Sequence, residues 1–94
     1  MSDPGQAIEA ALAEVEAALG REDPAAAQPH LDRVVAICAR LQATETLLPA
    51  ERLRAIRARL AACVAASEAL RARLAEELQQ QGTLRRAATA YGHR

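Results

Sequence analysis

Cys38, Cys63 and His30, with a scatter of carboxylates, are the side chains best equipped for bond-making chemistry in this 94-residue sequence. Their spacing leaves them little to do. The two cysteines stand 25 residues apart with no C-x-x-C and no accompanying histidine, so the ligand pattern of a zinc site is missing. Both fall on apolar lanes of predicted helices and read as reduced, buried thiols behaving as small hydrophobes rather than as a disulfide. His30 has neither a companion ligand nor a carboxylate arranged to act with it, and reads as a surface histidine. No nucleophile–base pair, metal cluster or phosphate-cradling glycine loop is present, so the expectation is no catalysis, no cofactor and no metal.

What remains is the chemistry of recognition, and arginine carries most of it. Net charge is zero, yet Met1 to Pro24 holds six acids against Arg21, while nine arginines stand against four glutamates from Pro49 onward. An acidic first segment can therefore lie beside a basic later one. Nucleic-acid binding asks for a net positive footprint or a recognition motif, and neither is found. No stretch is apolar enough for a membrane span and no secretory leader pattern opens the chain, so a soluble cytoplasmic protein is expected.

These charges need elements to position them. Alanine and leucine dominate, tyrosine occurs once, phenylalanine and tryptophan are absent, and β-branched residues never cluster. An all-α fold follows, in one domain spanning 1–94. Its core is thin, with a stability of ~3–5 kcal/mol as in other small single-core domains.

The organising stretch is Pro49 to Gln81. Leu53, Ile56, Leu60, Cys63, Leu70 and Leu74 step by three and four, with Ser67 in the one gap, as in a helix holding one face against a partner. With Leu53 as position a, Arg52, Arg59 and Arg73 fall at g and Arg57 and Arg71 at e. A second lane of Ala55, Ala58, Ala62, Ala65, Ala69 and Ala72 runs down the other side, and a helix apolar on two sides usually has two neighbours.

Ahead of it, Asp3-Pro4 opens a first helix over about 4–19. Gln6 is placed to close a capping box, Ile8, Leu12, Val15 and Leu19 form a stripe, and Gly20 is the expected stop. Glu9 and Glu16 border the stripe where the arginines could reach them. Asp23-Pro24 repeats the start signal for a second helix over about 24–46, with Leu31, Val34, Val35, Cys38 and Leu41 on one face. Pro29 favours a separate first turn at Pro24–Ala27 and a continuous helix from about Pro29. Thr44 to Leu48 connects to the third helix, over about 49–81, which can continue to 91 if Gly82 is tolerated at a cost of ~1 kcal/mol. His93 and Arg94 read as a frayed tail.

Lengths then predict an overhang. Antiparallel packing lays the second helix back along the third for ~34 Å, reaching about the level of Arg71. Leu74, Leu78, Leu84 and Tyr91 project beyond that point. Each of these left in water forgoes roughly 1.5–3 kcal/mol. A second copy, a tail folded back at Gly82 or a helix of another protein could cover them.

The pattern resembles the flagellar type III export chaperones of the FlgN and FliT kind. The resemblance rests on Glu16-x-x-Leu19 with Asp23 shortly after and on Leu48-Pro49-Ala50-Glu51 leading into a long helix. It rests also on the run Leu84-Arg85-Arg86-Ala87 through Ala90-Tyr91-Gly92. The chain is short for that family, and Ser67-Glu68-Ala69-Leu70 stands where members often carry asparagines. The resemblance implies a cytoplasmic chaperone holding a helical segment of a secreted hook-associated or filament-cap subunit. It also implies a client-binding set of Leu70, Leu74, Leu78, Leu84 and Tyr91, rimmed by Arg71, Arg73, Arg85 and Arg86. The alternative is a structural homodimer or an interaction module without an export role, in which the alanine lane packs against its twin.

Overall fold

In the computed structural model, described over residues 3–92, the chain forms three α-helices: α1 (Pro4–Gly20), α2 (Pro24–Ala43) and α3 (Ala50–Gly92). His93 and Arg94 lie outside the described residues, as does the side chain of Tyr91. The fold is all-α, and no strand occurs among the described residues. Its extents are 69 × 20 × 20 Å, a rod set by the 43 residues of α3.

Each helix starts where local chemistry dictates. Asp3 Oδ1 accepts from the Gly5 N–H at 2.9 Å and Asp23 Oδ1 from the Ala26 N–H at 3.1 Å, with proline in the first turn of both helices. These bonds satisfy amides that have no partner inside a helix. The capping box expected at Gln6 does not form. The second oxygen of Asp3 goes to Arg52 of α3 instead, at 2.9 Å.

Both turns differ from the glycine stop expected at Gly20. The left-handed residues are Glu22 (φ 58°) and Glu45 (φ 53°). The Asp23 N–H reaches back to the Ala18 carbonyl at 2.9 Å and the Glu22 N–H to Leu19 at 3.0 Å. The Thr46 and Glu45 amides repeat the pattern on Leu41 and Gln42. These are Schellman turns with glutamate in the position glycine usually fills, so Gly20 is an ordinary last-turn residue.

Pro29 does not divide α2, which is continuous from Pro24. The bond it omits would have used the Ala25 carbonyl, one turn from the helix start. Both residues are exposed, so water takes the place of the missing donor. Gly82 is likewise carried inside a continuous α3, and the tail does not fold back there.

α1 forms the hub of the packing. Ile8, Leu12 and Val15 on α1, with Val34 on α2, are fully buried, each worth about 1.5–3 kcal/mol. Ala27, Val34 and Ile37 of α2 and Ile56 and Cys63 of α3 close around α1. On α2 the inward lane therefore runs through Ile37. Val35, expected on it, is 64% exposed. The expected alanine lane of α3 has no neighbour, and every member from Ala55 to Ala72 faces outward. Its second apolar side remains open within this chain.

Candidate partner-binding surface

Arginines fix the lateral register of the bundle. Arg52 Nε donates to Glu9 at 2.8 Å, and Arg59 pairs with Glu16. Both pairs span 43 residues, so α1 and α3 run parallel with a constant offset, and α2 runs antiparallel between their ends. Arg73 completes the series on Glu22 at 2.6 Å. The Arg52 guanidinium also lies where a Cβ on Gly5 would stand, so α1 approaches α3 closely there because residue 5 has no side chain. The hydrogen bond from Arg52 holds the Asp3 carboxyl below its ordinary range, and the one from Arg59 does the same for Glu16. The arginines at g are thus consumed inside the fold.

Arg71, at e, donates to Gln28 Oε1 at 3.0 Å, and Gln28 Nε2 donates in turn to Asp32. With the Arg73–Glu22 pair, this bridge sets the end of the bundle at residues 71–73 of α3. The overhang begins where helix lengths alone place it. Leu78 and Leu84 beyond it are 67% and 69% exposed, Leu74 is half-buried, and Arg85 and Arg86 are exposed. Leu70 is only 8% exposed. It closes the base of the bundle and is a core residue here, because it lies on the buried side of the level at which α1 and α2 turn. Arg73 is likewise committed to Glu22 rather than free on a rim. Of the residues expected to meet a partner, the structure therefore leaves Leu78, Leu84, Arg85 and Arg86 open together. Tyr91 falls in the last turn of α3, and its side chain is outside the described residues.

A second apolar surface was not legible in advance. α2 and α3 each pack on α1 but scarcely touch one another, and the side of the bundle opposite α1 is a groove. Toward the α2–α3 loop it opens to a volume of about 690 Å3 lined by Cys38, Leu41, Leu48, Leu53, Ile56 and Leu60, with Arg57 and Glu45 at its edge. Further along, about 410 Å3 more is walled by Leu31, Val35, Leu60, Val64 and Ser67, and Arg71 stands at its far end. The signal was present as an excess: α2 carries two apolar lanes side by side, one through Val34 and Ile37 and one through Leu31, Val35 and Cys38. A helix with one neighbour needs only the first.

Cys63 is buried, and that burial pushes its thiol up and keeps it protonated, whereas Cys38 is half-buried in the groove wall. Both are free thiols. No group of His, Cys, Asp and Glu able to hold a metal occurs among the described residues, nor is any described helix long and apolar enough to cross a membrane. No protein-family model matches the chain, and no curated protein or solved structure matches it either.

Proposed function

We propose that the protein is a non-enzymatic, helix-binding chaperone or adaptor. Given its resemblance to the FlgN and FliT kind, we assign it to export of a flagellar hook-associated or filament-cap subunit in the cytoplasm. One observation carries the reading: α3 continues past the bundle with Leu78 and Leu84 in water, and the groove beside it is apolar along its length. Spaced leucines on a helix and an apolar trough between helices are the two halves of helix-in-groove recognition. Arg85 and Arg86 flank the leucines and favour a client helix with acids bordering its apolar stripe.

The test is titration of the chain with C-terminal helical segments of hook-associated and cap subunits from its own genome. One-to-one binding at micromolar affinity or tighter is expected, lost on truncation after Gln81 while the circular dichroism stays helical. If no such segment binds, the export assignment fails. If binding survives the truncation, the overhang is not the seat.

A further inference from the structure

We infer that a second copy of this chain fills the open side of the bundle: two chains pair antiparallel, each laying the overhanging half of α3 into the groove between α2 and α3 of the other. The inference stands on the match between two surfaces of one molecule and not on the export assignment, and a client helix would compete with the second copy for both surfaces.

The first observation is a vacancy. With α1 touching both α2 and α3 while those two scarcely meet, the α2–α3 side of the bundle is left open. A fourth helix laid in that groove would close a four-helix bundle. An occupant must be a helix with an apolar seam.

The second observation is that α3 is built as such a helix beyond its own bundle. The heptad frame that begins at Leu53 and Ile56 extends into the overhang, interrupted by the polar Glu77 and Gln81. Position a holds Leu53, Leu60, Ser67, Leu74, Gln81 and Ala88, and position d holds Ile56, Cys63, Leu70, Glu77, Leu84 and Tyr91. The face that α3 turns inward at its base is thus the face left uncovered on its overhang. Leu74, Leu84, Ala88 and Tyr91 keep that lane apolar at four of its six positions beyond the bundle, a seam that calls for a helical neighbour.

Reach and register select the occupant. The overhang, Leu74 to Gly92, and the groove wall on α3 from Leu53 to Arg71 are each about 27 Å long. Because the overhang leaves the bundle at the end where the groove finishes, only an antiparallel copy can enter the groove while receiving the first chain's overhang in return. The contact is then isologous and closes after two chains. With Leu84 opposite Leu60 of the second copy, the exposed pair Leu78 and Val64 meet at flanking e positions. The overhang has two polar steps, Glu77 opposite Ser67, the buried lane's one polar side chain, and Gln81 opposite Cys63. In the same register Arg85 faces Arg57, and the two copies of Arg71 approach each other across the symmetry axis. These like charges oppose pairing, so salt should strengthen it. The alanine lane stays outside this interface, which separates the arrangement from a dimer through small residues.

Sedimentation and small-angle scattering of the full chain test the proposal. The expected particle has twice the 10.0 kDa chain mass with a maximum dimension still close to the 69 Å of one copy, because the two α3 helices overlap throughout. Its dissociation constant should fall between about 20 mM and about 300 mM salt. Leu84→Glu lies outside the bundle and cannot unfold it. That change and Val64→Glu should each weaken the dimer by at least about 100-fold with helicity unchanged. In a Cys38→Ala, Cys63→Ala background, Val64→Cys and Leu78→Cys chains should form a disulfide with each other when mixed, and neither with itself. A monomer at about 100 μM overturns the proposal. So does a dimer indifferent to both glutamates, or one whose length nearly doubles.

Discussion

Glu45 adopts a conformation that an L side chain enters at a cost of roughly 1–2 kcal/mol, and its carboxylate forms no ion pair among the described residues. Glu45→Gly should therefore stabilise the chain by about 0.5–1 kcal/mol, seen as a rise of several degrees in the thermal midpoint. An unchanged or lowered midpoint would mean that the turn is not held as described. At this scale sequence patterns are least informative. A glutamate in a glycine position gives no compositional signal, whereas Gly20, one residue before the cap, gives a misleading one. Val35 and Ile37 are equally apolar and two positions apart. Only the place where α1 settles decides that Ile37 goes in and Val35 stays out.

Between elements, the ladder from α1 to α3 gives the fold a definite response to acid. Asp3 and Glu16 titrate below their ordinary range, so their contribution is complete above the unfolded carboxylate value and disappears as pH falls through the lowered one. The thermal midpoint should therefore drop below about pH 4. The double variant Asp3→Asn, Glu16→Gln should show a shallower drop, and matching acid profiles would show that these partly exposed pairs only guide alignment. This ladder was legible in part: Glu9 and Glu16 border the α1 stripe at the same seven-residue step as Arg52 and Arg59. The engagement of Asp3 was not, because its role as a helix cap accounts for only one of its oxygens. The starts of α1 and α2 were legible, since Asp-Pro pairs mark them independently of tertiary packing, whereas α2, expected to reach about 46, ends at Ala43. The break anticipated at Pro29 does not occur, because exposure of one carbonyl makes the lost bond cheap.

For the molecule as a whole, accessibility of the groove can be read from its own thiols. Cys38 lines the groove and Cys63 lies beneath it with a raised, unreactive thiol, so a maleimide should label Cys38 in the native state and Cys63 only on unfolding. Occupancy of the groove should slow labelling at Cys38 alone. Equal rates at both positions would show that the core opens as a unit instead. The overhang was legible from helix lengths, a purely one-dimensional property. The groove was not, since which pair of helices stays apart is a property of the third.

The central place of α1 has a consequence for how the chain acquires its shape. Of the three helices α1 precedes the others and packs most closely on both, and its partner in the tightest contact, α2, follows after a three-residue turn. A hairpin of neighbouring residues can therefore form early, with little loop entropy to overcome. The arginine-bearing rod then docks onto it from Arg52 upward as it emerges, with Arg59 and then Arg73 each finding an acid. By the time Arg73 reaches Glu22 the bundle is complete, and the described side chains beyond Leu74 add nothing to its core.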